Sequence, residues 1–417
     1  MTKAPPLKND CFALPPGVSW APVDDALALL RDRLHPVVAQ ETVALDVALG
    51  RVLAQDIPAL RDHPPLPNTA VDGYGFAGEL SEGEHAIPLV QGRAAAGLRF
   101  DGNVPTGSAI RILTGAALPD GVTTVVLQED VAVDGQTIHL RGPVKSGANT
   151  RKAGEDMVAG HVILYAGRKI TPADVGMLAT VGIHEVPVFA PLRVAILSTG
   201  DELLSSGQSA EAGQIFDANR PMLSAMVRAW GYDVVDMGIQ PDDPATIRAA
   251  LDQAAQTADV ILTSGGASAG DEDHISAALN ETGSMALWRI AIKPGRPLAL
   301  GLWNGTPVFG LPGNPVAAFV CSAIFARPAM GLLSGQGFET VPGVMVPAAF
   351  SKKKKPGRRE YLRARLVDGQ AQVFASEGSG RISGLSWADG LVELPDGALD
   401  VEPGTPVKYL PFSALGL

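Results

Sequence analysis

Val260-Ile261-Leu262-Thr263-Ser264-Gly265-Gly266-Ala267-Ser268-Ala269-Gly270-Asp271-Glu272-Asp273-His274 is the stretch that decides the fold. A short apolar run breaks into glycines and small hydroxyl residues, and three acids lead toward a helix expected to begin near Asp273. Outward from it, strand-like Val194 to Leu197, helix-like Pro221 to Trp230, strand-like Asp233 to Val235 and helix-like Pro244 to Gln256 precede the loop in that order. Strand-like Pro307 to Leu311, with a helix from Pro315, follows it. Strand and helix in alternation predict a parallel sheet covered by helices.

The flanks read differently. Val23, Leu27, Leu30 and Leu34 recur at helical spacing behind Asp24 and Asp25, so a helix is expected over residues 21–35, ended by His35-Pro36. From about 60 to 150 the pattern turns to short β-type runs such as Ala109 to Leu113 and Val122 to Leu127, followed by a helix at Pro172 to Thr180. Beyond about 335, runs at Glu360 to Leu366, Ala371 to Phe374 and Thr405 to Leu410 suggest a small β-barrel or sandwich.

Composition narrows the function. At 417 residues, more than one core is expected. A net charge of -11 argues against a general nucleic-acid binder, which needs a basic surface. The apolar segment Val316 to Ala326 is well short of the ~20 residues that span a bilayer and reads as a buried helix, so no membrane role is expected. Met1 to Cys11 lacks the apolar core of a signal peptide, and Cys11 and Cys321 form no C-x-x-C pair, so a reducing cytoplasm is the default. One basic run stands out: Lys352 to Lys355, then Arg358, Arg359, Arg363 and Arg365. It reads either as a solvated strand edge or as a rim that attracts phosphate, since screening confines fields to about 8 Å.

Ligands of an open α/β sheet bind beyond the carboxyl ends of its strands, and four such places are unusual. Ser198-Thr199-Gly200-Asp201-Glu202-Leu203 carries hydroxyls and acids. In the Thr263–His274 loop, Ser264, Gly265, Gly266 and Ser268 can turn backbone N–H groups toward an anion, although an ordinary tight turn needs the same residues. The acids behind it would repel an anion unless a divalent cation, Mg²⁺ by default, sat between them; Asp271 and Glu272 serve equally well as helix caps, which leaves Asp273 as the stronger functional candidate. Lys293-Pro294-Gly295-Arg296-Pro297 holds two cations in a proline-stiffened turn suited to clamping an oxyanion such as phosphate. Pro312-Gly313-Asn314-Pro315 ends a strand and opens a helix whose preceding N–H groups can meet an anion. Two more loops carry acids, Asn68 to Tyr74 with Asp72, and Arg151 to Asp156. No H-E-x-x-H, G-x-S-x-G or P-loop pattern appears.

Together these strings resemble one family. N-T-A-V-D-G-Y-G (68–75), R-I-L-T-G-A-A-L-P (111–119), R-K-A-G-E-D (151–156), S-T-G-D-E-L (198–203), D-A-N-R (217–220), S-G-G-A-S-A-G-D-E-D (264–273), K-P-G-R-P (293–297) and L-P-G-N-P (311–315) are similar, in order, to the signature of the MoeA family of molybdopterin molybdenumtransferases, to which the gephyrin E domain is related. G-R-R-E-Y-L-R (357–363) and G-S-G-R-I-S-G-L (378–385) extend the likeness.

The resemblance implies a multidomain α/β and β chain: a mixed elongated domain over 1–55 plus 146–187, a β-rich domain over 56–145, a MogA-like α/β domain over 188–334 and a C-terminal β-barrel over 335–417. It implies a homodimer with a cleft shared between subunits, in which molybdenum from molybdate is inserted into adenylylated molybdopterin with Mg²⁺ and AMP is released. Contacts with the adenylyltransferase and with downstream molybdoenzymes are further expectations. Carried over by motif, Asp72, Thr114, Arg151 and Asp156 fall on the second-domain side. Glu202, Asp242, Asp273, Lys293, Arg296, Pro312 and Pro315 fall on the α/β side, and Ser379 in the last domain. Asp72, Glu202, Asp242 and Asp273 are the expected catalytic acids; Asp156, Glu202, Asp242 and Asp273 the expected metal ligands. Thr69, Val71, Gly75, Ala267 and Arg296 depart from the usual family residues while keeping size class or charge. The competing expectations are a non-catalytic cofactor-binding or scaffolding relative, and a pterin adenylyl transferase or pyrophosphatase.

Overall fold

The structure, a computed structural model, describes residues 20–265, 274–281, 285–287, 290–295 and 298–417. The chain divides into two compact units, Glu41–Val188 and the remainder, which joins the chain up to Gln40 to Phe189–Leu417.

In the larger unit the alternation of strand and helix builds a six-stranded sheet in the order Asp233–Gln240, Arg193–Thr199, Val260–Ser264, Thr306–Leu311, Ala299–Trp303, Met285–Leu287. The first four strands are parallel. Along the Arg193 strand, Val194 and Ile196 enter one core and Ala195 and Leu197 another, the two-residue period of a strand buried on both faces. The helix Asn219–Ala229 supplies Leu223, Met226 and Val227 to the first core. Pro244–Thr257 supplies Ile247, Leu251 and Ala254 to the second, so helices cover both faces.

The sheet is mixed rather than wholly parallel, which corrects the expectation from the alternation alone. Ala299–Trp303 runs antiparallel to Thr306–Leu311 because Trp303-Asn304-Gly305-Thr306 is a hairpin, and Met285–Leu287 pairs antiparallel with Ala299–Trp303 in turn. Asn304 and Gly305 have φ of 49° and 84°, the pair of positive values that a two-residue turn of matching twist needs and that Asn-Gly tolerates best.

The apolar segment at Val316 belongs to a helical run, Pro315–Leu333, of which 89% is buried. The helix Val23–Arg33 packs Val23, Ala26 and Leu30 into the same core. A second sheet is ordered Ile292–Lys293, Arg359–Val367, Gly390–Leu394, Pro406–Pro411, Val344–Pro347, with Gln370–Val373 paired to the Arg359 strand. Lys293 therefore sits on the edge of the C-terminal sheet, opposite Glu360, although it was expected in a turn of the α/β domain.

The basic run is neither a uniformly solvated edge nor an open rim. Lys352–Lys354 forms a strand against Leu399–Val401. Lys354 is buried and donates to the carbonyls of Lys355 (2.8 Å), Gly397 (3.0 Å) and Asp396 (3.4 Å). Arg359 forms a two-pronged pair with Asp24 at 2.7 and 2.8 Å and a third contact with Asp396. Arg365 stacks on Trp387. Most of these charges hold structure together.

In the smaller unit a six-stranded sheet runs Thr124–Leu127, Gly73–Phe76, Ala109–Ile112, Leu80–Ala94, Thr137–Val144, Val131–Asp134. A separate core gathers Leu53, Ile57, Leu164, Leu178, Val186 and Val188 beside the helix Pro172–Thr180, whose Thr171 and Asp174 form a reciprocal N-terminal cap.

Candidate active site

Three loops at the carboxyl ends of the parallel strands converge on a cleft of about 550 Å³. Glu202 and Thr199 enter from the first, Ser264 and Gly265 from the second, and Pro312, Gly313, Asn314 and Pro315 from the third. The strand order dictates this: neighbouring parallel strands end side by side, so loops distant in sequence become adjacent. Gly265 has φ +90°, and a Cβ there would lie 2.6 Å from the Thr199 carbonyl oxygen. Only glycine lets these two loops touch.

Asp217 and Asn219, to which no role was assigned from sequence, lock the loops in register. Both side chains are buried. Asn219 donates its amide to Ser264 Oγ at 2.7 Å and to the Gly313 carbonyl at 2.6 Å, joining the second and third loops through one residue. Asp217 accepts the backbone N–H groups of Asn219 and Arg220 at 3.0 and 3.1 Å, capping the helix that carries them. The signal was there in Asp217-Ala218-Asn219-Arg220, an acid two residues ahead of a helical amide.

Two cleft residues hold buried acceptors without a hydrogen-bond partner among the described residues, Thr199 Oγ1 and Asn219 Oδ1. Such atoms are costly unless a ligand or water meets them. The Glu202 carboxylate folds back over Gly200, with Oε2 2.6 Å from where a Cβ on that glycine would stand. Asp242 lies one loop away, its N–H donated to Asp201 Oδ1 at 3.1 Å. Ile215 and Phe216 add exposed apolar surface to the cleft.

The first free N–H of the Pro315 helix, that of Val316, is donated to the Ser379 carbonyl at 3.0 Å and is not open to an anion. Through that bond Ser379 reaches the cleft edge, where Gly380 joins the lining. Lys293 opens instead into a neighbouring recess of about 220 Å³. Gly266, Ser268, Asp273 and Arg296 lie outside the described residues.

In the smaller unit, Asp72 Oδ1 accepts both the N–H and the hydroxyl of Thr114, each at 2.6 Å. The Thr114 hydroxyl first, then its N–H, hold the Asp72 carboxyl below the usual carboxylate range. Arg151 pairs in register with Asn68, and Thr150 with Thr69, so the 68–72, 114–116 and 149–151 segments meet. Gly73 is needed here for close approach rather than for a turn: a Cβ would lie 1.9 Å from the Val126 carbonyl oxygen. Asp156 belongs to the next loop, where its N–H donates to the His63 carbonyl. Among the described residues no three His, Cys, Asp or Glu side chains form a metal-holding cluster. The Cys321 thiol is pushed up to about 12 by burial and offers no nucleophile.

Comparison with known proteins matches this geometry to one family along most of the chain. Residues 21–182 match the MoeA N-terminal region (domain I and II), 195–331 the "Probable molybdopterin binding domain", and 345–412 the MoeA C-terminal region (domain IV). The chain is 35% identical to the molybdopterin molybdenumtransferase of Haemophilus influenzae, covering 94% of this chain and 99% of that one. It is 35% identical to molybdopterin molybdenumtransferase 2 of Mycobacterium tuberculosis, over 88% and 94%. Among solved structures, the molybdopterin biosynthesis moeA protein of Pyrococcus horikoshii OT3 superposes with a TM-score of 0.83 at 30% identity, covering 94% of this chain and all of that one. With full-length relatives at this identity and a common fold, the chain belongs to the MoeA family of molybdopterin molybdenumtransferases.

Proposed function

We propose that this protein inserts molybdenum from molybdate into adenylylated molybdopterin and releases AMP, with the three-loop cleft as the place where the nucleotide-tagged pterin binds. The observation that carries the reading is the convergence of Glu202, Ser264, Gly265 and Pro312 to Pro315 on one cleft, with the Ser264 and Gly313 loops tied by Asn219 and with unpartnered buried acceptors among its lining. Thr199 Oγ1 and Asn219 Oδ1 can accept hydrogen bonds from a ligand. Ile215 and Phe216 offer apolar surface to a flat ring system.

The donor chemistry suits Mg²⁺. Glu202 brings a hard carboxylate to the cleft and Asp242 stands on the adjoining loop, and Mg²⁺ is commonly held by one or two carboxylates together with substrate phosphates and water. When bound, the ion would offset the charge of the phosphoanhydride. Asp273 is a further candidate ligand by sequence, and Asp156 another. On the same reading Asp72 handles a proton, with Thr114 keeping its carboxylate ionised. Lys293, Arg296 and Arg151 meet the oxyanion and phosphate charges, and Ser379 contributes from the last domain.

The family resemblance supports a homodimer in which the Asp72, Thr114 and Arg151 face of one copy completes the cleft of another, four domains in each subunit, and a cytoplasmic location. A complementation experiment tests the function. Expression in a strain lacking its own molybdenumtransferase restores molybdoenzyme activity, and Glu202→Gln restores far less. Failure of the unaltered chain to complement, while it is present and folded, would contradict the reading.

A further inference from the structure

The lysine run and Lys293 meet at two shared carboxylates. Lys293 and Lys352 both point at Glu360 and Glu377 across the 220 Å³ recess. Lys293 Nζ lies 2.6 Å from Glu377 and 3.4 Å from Glu360. Lys352 Nζ lies 3.2 Å from Glu360 and also contacts Glu377.

The two carboxylates differ. The Glu360 side chain is 9% exposed and is fixed by strand pairing opposite Lys293, whereas the Glu377 side chain is 45% exposed and stands on a loop. The loop itself is pinned. Arg363 donates to the carbonyls of Ser376, Gly378 (3.2 Å) and Arg381 (2.6 Å), so the backbone on both sides of Glu377 is held. Only the Glu377 side chain is left to rotate away. Without it, two lysines and Arg363 face one buried carboxylate, and the recess gains a net charge of about +2. The same loop reaches the main cleft at Gly380.

We propose that Glu377 is an internal counter-ion that occupies the Lys293–Lys352 site until a tetrahedral dianion displaces it. The inference rests on the proposed use of molybdate as substrate and names Glu377 as the residue that sets how strongly such an anion must bind. Singly charged anions regain too little from two lysines to evict a carboxylate held by both. A dianion with several oxygens replaces both contacts and brings Arg363 within its field.

Equilibrium dialysis of the full-length protein against molybdate, with bound molybdenum measured by elemental analysis, tests this. Glu377→Gln keeps the shape and removes the competing charge, and it should bind molybdate roughly tenfold more tightly than the unaltered protein. Glu377→Asp, whose shorter reach weakens the lysine contacts, should move in the same direction by less. Adding Lys352→Gln to Glu377→Gln should abolish the gain, and sulfate should compete more strongly in Glu377→Gln. Unchanged or weaker binding in Glu377→Gln, or no binding by either protein, would overturn the proposal. AMP release from adenylylated molybdopterin is scored separately. A variant that binds molybdate tightly but releases no AMP would contradict the reaction and leave this site standing, while normal AMP release with unchanged affinity would contradict the site alone.

Discussion

Replacing Asn219 by alanine removes a side chain that ties the Ser264 and Gly313 loops of the cleft together. Its amide makes two short hydrogen bonds, to Ser264 Oγ and to the Gly313 carbonyl. A buried neutral hydrogen bond contributes about 1 kcal/mol net, and an acceptor left unpaired in the interior costs about 1–3 kcal/mol. Ser264 is buried and suffers that penalty, whereas Gly313 is exposed and can be rewetted. The expected loss is therefore about 2 kcal/mol rather than the sum of the upper limits. Equilibrium urea unfolding followed by circular dichroism would register it as a lower midpoint at unchanged slope. Binding of AMP to the cleft should fall in parallel, because Ser264 and Gly313 lose their common register. A loss below about 0.5 kcal/mol, with AMP affinity intact, would refute the role assigned to Asn219.

Other consequences follow from the same geometry. Gly265→Ala forces a Cβ into the Thr199 carbonyl at a positive φ, so it should reduce cleft binding more than tenfold; ligand titration of a variant with native circular dichroism checks this. Thr114→Val removes the hydroxyl that holds Asp72 down, so the carboxyl should titrate at higher pH in a carbon-13 NMR titration, and an unmoved midpoint contradicts the assignment. The sign is that of a depressed acid: Asp72 favours the folded state above its unfolded pKa, and that contribution is lost as pH falls through the folded value. Lys354→Ala leaves three carbonyls without their shared donor and should destabilise the C-terminal sheet by about 1–3 kcal/mol, read by thermal unfolding.

The alternation from Val194 to the Pro315 helix was legible because each step carries its own period and its own stop signal, and strand ends agree to within two residues except at Asp233, whose strand continues to Gln240. The antiparallel edge was equally available in Asn304-Gly305, a two-residue turn between apolar runs. Contacts across long sequence separations were not. Nothing local distinguishes Lys352, half-buried against two carboxylates, and Lys354, itself buried, from Lys353, which is exposed. Nor does the text around Glu377 indicate that two lysines converge on it, because that meeting depends on a strand at 292–293 crossing to pair with one at 359–360. Cleft residues such as Ser264 and Gly265 could be found from the strand-end rule, while Asn219 needed the fold. Its work is to hold two loops that lie 45 and 94 residues away.

The most direct test is a single-turnover reaction of the purified protein with adenylylated molybdopterin, Mg²⁺ and molybdate, measuring AMP and protein- or pterin-bound molybdenum together. One AMP should appear for each molybdenum incorporated, with both dependent on molybdate and both reduced in Glu202→Gln. AMP release that proceeds equally without molybdate, or with no molybdenum incorporated, would contradict molybdenum insertion as the reaction.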